Sequence, residues 1–432
     1  MITLNKEKIF LYSDLLIVAC LCLLIFCLPF AKAGVETFTF TIFFLWILKR
    51  TFGYSSQTLW GLLPKTGLNL ALLLYTIANA ISVIFSARWG LSLRGFFGKE
   101  LKFLFVYFML VEVVSNKKRM LCVLTALITS AVFIMVDAGV QLFTKTDFLR
   151  GYSIVDQSFR ASFDTSSGFA AWLIVIIPIF LGIIAVNLFP LLKIKILLWL
   201  AVIIQFMYLL RTYSRGAWLG FLIAILFMMF YFIKNFTLRL KIISLTAGVC
   251  LLSVVLFLPS FLSPQFKYDI LTKLKLDQGI HSRIKSIPQI TQGSNFERIR
   301  LWKDSLRIIK DYPLTGCGLN NYTVVARNYK SFAAGGGSYP HNSYLQKAAE
   351  IGILGLFAFL FVFFSLFRTG ILYLRKNMNY LVLGLLAGIL AFLIQAFFDT
   401  HFYSLQLVVL FWYMVGLTMV AIRLGSTRNQ LS

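Results

Sequence analysis

Apolar runs long enough to cross a lipid bilayer recur from one end of this chain to the other, and that recurrence constrains the fold more than any motif does. A bilayer core takes about 20 apolar residues of helix. Stretches of this kind centre on residues 15–30, 33–48, 67–85, 96–114, 120–143, 168–189, 194–210, 217–233, 240–262, 351–374, 380–398 and 403–422. The expected fold is an all-α polytopic membrane protein of about twelve transmembrane helices. Lys32 and Glu36 at the edge of the second run make its boundaries the softest. No small-residue cleavage site follows the first run, which reads as a retained span and not as a signal peptide. Composition agrees, since a soluble domain with 59% hydrophobic and 13% charged residues could not cover its own surface.

The net charge of +25 has to lie in loops, where it points to anionic partners such as lipid headgroups and phosphates. Nucleic acid fits poorly, because no basic domain stands apart from the apolar runs. Lys49, Arg50, Lys117, Lys118, Arg119, Lys193, Lys195, Arg375 and Lys376 fall in short loops on one side of the spans. Loops rich in lysine and arginine stay in the cytoplasm, so both chain ends are expected there. Three segments follow: a bundle of about nine spans over 1–262, one large and mostly helical outer loop over 263–350, and about three spans over 351–432. Cys317 is in that loop and the other five cysteines are in apolar runs, so no disulfide pair stands out.

Some basic residues break the charge rule. Arg88, Arg94, Lys99 and Lys102 lie on the outer side of spans three and four, and Arg211 and Arg215 on that of spans seven and eight. Lys102 sits in an apolar run, where a charge is costly unless it is paired or faces water. It either snorkels, pairs with Glu100 or Asp137, or lines a site for an anionic ligand. Arg211-Thr212-Tyr213-Ser214-Arg215-Gly216 makes a very short turn. Its arginines either anchor helix ends among headgroups or turn into the bundle, which the small Gly216 and Ala217 would permit.

Within the long loop, residues 298–310 have a helical period. Leu301, Trp302, Ser305, Ile308 and Ile309 share one face, and Arg300, Lys303, Arg307 and Lys310 another. Such a helix could lie on the membrane with its apolar side down. Pro313 ends it, and Gly316 with Gly318 makes a turn. Further on, Ser343 with Gln346 reads as a capping box that opens the next helix. His341 and Asn342 stand just ahead of it, where free backbone N–H groups would suit a phosphate. His341 is either a satisfied polar residue or a general base. No two of His281, His341 and His401 share a metal-ligand spacing, and no metal or cofactor is expected.

Ser214-Arg215-Gly216, Arg298-x-x-x-Trp302, Pro313-Leu314-Thr315-Gly316-Cys317-Gly318 and His341-Asn342-Ser343-Tyr344-Leu345 together resemble the O-antigen ligase and polymerase superfamily of bacterial envelope glycosyltransferases. The resemblance is closest over about 210–360. It implies a GT-C-like fold with the large loop in the periplasm, in the inner membrane. It also implies a glycan donor on undecaprenyl diphosphate and metal-independent transfer with inversion. Arg215 and Arg298 would contact the diphosphate and His341 would take the acceptor's proton. Lys102, Arg211, Arg300 and Asn342 would line the substrate site. The chemistry is consistent with this, because a leaving diphosphate needs fixed cations or a divalent metal. The outer carboxylates Glu36, Asp147, Asp156 and Asp164 are spread out and interleaved with Arg150 and Arg160, so arginine is the plausible substitute for metal. The leading expectation is a ligase that delivers the glycan to a lipid A-core acceptor. A polymerase of repeat units or an enzyme with a protein acceptor are the alternatives, and a flippase stands further off because no internal repeat is evident.

Overall fold

The structure, a computed structural model, describes residues 6–53, 63–154, 159–232, 294–329 and 339–428. Among these residues it is helical, with no strand beyond an isolated bridge between Thr146 and Ser153. The helices are α1 (Lys6–Cys27), α2 (Lys32–Gly53), α3 (Asn69–Ile84), α4 (Trp89–Gly95), a π-helical turn (Phe96–Leu101), α5 (Lys102–Val113), α6 (Lys117–Thr144), α7 (Ser166–Val186), α8 (Leu192–Arg211) and α9 (Arg215–Phe232). They continue with α10 (Ser294–Asp311), α11 (Tyr322–Val325), α12 (Ser343–Lys376), α13 (Tyr380–Gln395) and α14 (Leu405–Arg428). Eleven of the apolar runs coincide with helices, while the run at 240–262 lies outside the described residues. Six described helices are long and apolar enough to cross a membrane, namely α6, α7, α8, α9, α12 and the Leu405–Ser426 part of α14. Leu192, Leu197 and Ile203 of α8 are exposed, as the lipid-facing residues of a membrane span are. The chain is a helical, multi-pass membrane protein.

Two compact units form. The first comprises Met1–Ile134, Arg300–Val382 and Asp399–Ser432. In it α1 lies along α2 and α5, α3 along α12, and α5 along α14. Several of its buried charges are paired, which offsets the cost of burial. Lys49 is held between Asp14 at 2.7 Å and Glu112 at 2.6 Å, and Arg119 reaches Asp14 at 3.0 Å.

The feature that shapes this unit is a break in α12 at Gly352, whose φ of 70° and ψ of −179° leave the helical region. Only glycine adopts such a backbone at low cost. The break frees carbonyls that the Pro313–Gly318 turn then uses. Cys317 N–H donates to Ala349 O at 2.8 Å, Gly318 N–H to Glu350 O at 3.0 Å, and Ile353 N–H to Pro313 O at 2.9 Å. Gly316 and Gly318 also have positive φ, of 75° and 106°. A Cβ on Gly316 would strike the Glu350 backbone, and one on Gly352 the Leu314 backbone.

The loop helix α10 runs Ser294–Asp311 and stops before Pro313, as its periodicity and the proline predict. Its apolar face, however, packs against protein at Ser305, Ile308 and Ile309. Ile308 packs with Cys317, Tyr322, Val325 and Ala349, with Ile309 beside them, and Ser305 shares a 2.7 Å hydrogen bond with the Tyr322 hydroxyl. Burial pushes the Cys317 thiol above its ordinary range, so it is an inert packing group.

The second unit comprises Met135–Ile299 and Leu383–Phe398. Here α7 packs with α8 and α9, and glycines set the closest approaches. A Cβ on Gly388 would lie 2.6 Å from Val175 O, and one on Gly220 2.6 Å from Ala391 O. Gly216 abuts the Phe398 side chain, which fits the close helix approach expected at that turn. Asp137 accepts from Phe148 and Leu149 N–H at 3.0 and 3.3 Å and from the Ser162 hydroxyl at 2.7 Å, which fixes the loop after α6.

Candidate active site

The histidine motif sits where the loop enters α12. Asn342, in extended backbone at φ −155° and ψ 109°, is the N-cap, and its Oδ1 accepts from Tyr344 N–H at 2.9 Å and Leu345 N–H at 3.0 Å. The cap is thus one residue earlier than the expected Ser343–Gln346 box. Ser343 is already helical, and Gln346 turns to Glu350 at 3.3 Å. Two of the N–H groups expected to await a phosphate are consequently taken.

His341 precedes the cap with a φ of 48°, a left-handed conformation that is strained for a side chain of this size. Trp302 Nε1 donates to Pro340 O at 2.9 Å and clamps the preceding residue. Across from the imidazole stands Asp399, with Nδ1 3.1 Å from Oδ1. Asp399 is itself fixed, since its carboxylate accepts from Thr400 N–H at 2.8 Å and its carbonyl accepts from the Ser343 hydroxyl at 2.8 Å. The His341 side chain is 44% exposed and that of Asp399 18%. An acidic partner on Nδ1 holds the proton there and leaves the Nε2 lone pair for a substrate hydroxyl. This is the base-and-orienter geometry of general base catalysis.

Beneath this pair lies a buried polar network. Lys347 pairs with Glu100, which also accepts from the Tyr75 hydroxyl at 2.7 Å. The Tyr403 hydroxyl lies 2.9 Å from Glu350 Oε1 and 2.6 Å from Asn320 Oδ1, and Lys99 Nζ donates to that same Asn320 oxygen at 2.9 Å. The Lys102 ammonium contacts both oxygens of Glu36, at 2.8 and 2.7 Å, while Glu100, one of its expected partners, is paired with Lys347. Arg300, at the loop-helix edge of this unit, is partly buried.

The remaining arginines belong to the second unit. Arg211 ends α8 and Arg215 opens α9, both partly buried, with Tyr213 between them at a φ of 54°. Arg298 Nη1 donates to Phe398 O at 2.7 Å, and the residue after Phe398 in the chain is Asp399. Arg298 and Trp302 are one helical turn apart on α10 and so share a face.

Sequence reasoning assigned Asp399 no part in the site. It missed Asp399, Tyr403 and Glu350 as neighbours of the histidine motif. Their one legible signal was polarity, since Asp399 interrupts the last two apolar runs and Glu350 closes the long polar segment.

A carboxylate-held histidine beside a capped helix has the geometry for acid–base chemistry. Residues 200–360 match the family described as O-antigen ligase. That stretch contains the arginine turn, α10, the glycine turn and His341. No curated protein matches the chain.

Proposed function

We propose that the chain is an O-antigen ligase of the inner membrane, with about twelve spans and its large loop in the periplasm. In this reading it transfers a polysaccharide from undecaprenyl diphosphate to the lipid A-core oligosaccharide, with inversion and without a metal. The observation that carries the reading is the His341–Asp399 pair, whose histidine lies within the matched residues 200–360. The acceptor hydroxyl attacks the anomeric carbon and gives its proton to His341 Nε2. The bond from that carbon to the diphosphate breaks as the new glycosidic bond forms, and the electron pair leaves with the phosphate. Arg215 and Arg298 stabilise the growing negative charge, for which a bidentate guanidinium is suited. Lys102, Arg211, Arg300 and Asn342 line the substrates in the same scheme, Lys102 with its charge already balanced by Glu36 and Asn342 with its oxygen engaged in the cap.

Glu36, Asp147 and Asp164 support a metal-free mechanism, because each is committed to an ion pair or to backbone N–H groups. Asp156 lies outside the described residues. Purified protein with lipid-linked glycan and acceptor is expected to turn over at its normal rate in excess EDTA. Activity that is lost there and restored by magnesium or manganese overturns the arginine-based account.

The acceptor is decided by the lipopolysaccharide banding of a deletion strain. A surviving core that lacks all long chains is the expected result for a ligase. A core bearing a single repeat unit identifies instead a polymerase, and unchanged lipopolysaccharide with a protein that loses its glycan identifies transfer to protein.

A further inference from the structure

We propose that Tyr403 is a positioning residue that holds Asp399 and His341 in register, and that Glu350 serves it as a neutral carboxylic acid. The inference rests on the catalytic reading of His341 above. Tyr403 reaches both halves of the pair. It closes the short turn that begins at Asp399, with its N–H donating to Thr400 O at 3.1 Å. Its ring packs on Tyr339 with centroids 4.7 Å apart, and Tyr339 is two residues ahead of His341. The hydroxyl then ties this turn to α12 through Glu350 and to the glycine-turn segment through Asn320. The Asp399 turn is thereby fastened to α12 twice, at Ser343 and at Glu350, with the His341–Asp399 contact at the Ser343 end.

Proton counting assigns the state of Glu350. A phenol carries one hydrogen and keeps it at neutral pH, so that hydrogen stays on Tyr403. Yet its oxygen lies within hydrogen-bond distance of two acceptors, Glu350 Oε1 and Asn320 Oδ1. Turning the Asn320 amide over does not help, since Lys99 Nζ donates to the same oxygen and would then face an NH₂ group. Both contacts are favourable when Glu350 carries a proton and donates it to the phenol oxygen, while the phenol donates to Asn320. The neighbouring cations do not impose the charged form. Lys347 is spent on Glu100, and Lys99 on Asn320 and on the face of the Tyr403 ring, 4.2 Å from its centroid. Glu350 is fully buried and its second oxygen has no hydrogen-bond partner, which a neutral acid tolerates far better than a carboxylate.

Steady-state kinetics of the full-length protein with lipid-linked glycan and acceptor tests this. Tyr403→Phe keeps the ring and removes the hydroxyl, so kcat is expected to fall roughly 10- to 100-fold, the cost of a small misplacement of a reacting group. The donor KM and the melting temperature in detergent are expected to stay put. Glu350→Gln, which has both a donor and an acceptor, is expected to work near the normal rate, and Glu350→Ala to resemble Tyr403→Phe. Asn320→Ala offers a second route to the same kcat-only loss should the position 403 variant fail to accumulate. A normal kcat in Tyr403→Phe overturns the positioning role. A Glu350→Gln protein as impaired as Glu350→Ala overturns the neutral acid. His341→Ala serves as the reference: if it keeps its rate, the catalytic reading itself falls, whereas an inactive His341→Ala beside a normal Tyr403→Phe removes this inference alone.

Discussion

His341→Ala is expected to abolish detectable glycan transfer while the protein still accumulates, folded, in the membrane. A positioned general base contributes roughly 100- to 10,000-fold in rate. The side chain is partly exposed and its one described protein partner is Asp399, so its removal leaves little to collapse. Donor binding is expected to survive, because the diphosphate contacts are assigned to arginines. His341→Gln is the sharper variant, since it keeps hydrogen bonding and discards proton transfer. A Gln protein that retains more than about a tenth of the normal rate rules out the base role. Asp399→Asn is expected to be slow in the same assay, because an amide can hold the wrong imidazole tautomer. His401→Ala, a change at a buried residue, is expected to act through accumulation more than through turnover.

Arg215→Ala and Arg298→Ala form the second large effect. Each removes a cation assigned to the leaving diphosphate, worth on the order of 2–4 kcal/mol in the transition state. That corresponds to a loss of roughly 30- to 1,000-fold in rate. Lysine is expected to restore only part of it, since it cannot reproduce a forked contact. Arg298→Ala carries an added cost, because the Phe398 carbonyl loses its 2.7 Å donor one residue before Asp399. Lys303→Ala, an exposed change on the same helix, is the control and is expected to be near normal. If both arginine variants match that control at equal protein levels, the two residues are membrane anchors and nothing more.

The helices were legible because a bilayer imposes a length and a polarity that can be counted residue by residue. The loop helix α10 was legible for a similar reason, as its 3.6-residue period runs unbroken up to Pro313. Its neighbour was not, because an apolar face looks the same whether it meets lipid or the Cys317–Tyr322 cluster. Pairings across long separations left no local trace. Lys102 finds Glu36 66 residues away, Lys347 finds Glu100 247 residues away, and His341 finds Asp399 58 residues away. The cap was misread by one position because Asn342 and Ser343 are both good capping residues, and only the backbone angles separate them.

The break at Gly352 sets a rule for anyone recombining this protein with its relatives. The Pro313–Gly318 turn and the start of α12 share main-chain hydrogen bonds in both directions, and neither glycine site has room for a side chain. A hybrid whose crossover falls between residues 318 and 343 would join two halves of one interlocked joint taken from different parents. Crossovers placed before 313 or after 353 keep the joint whole, and libraries built that way should yield the larger share of enzymes that reach the membrane intact.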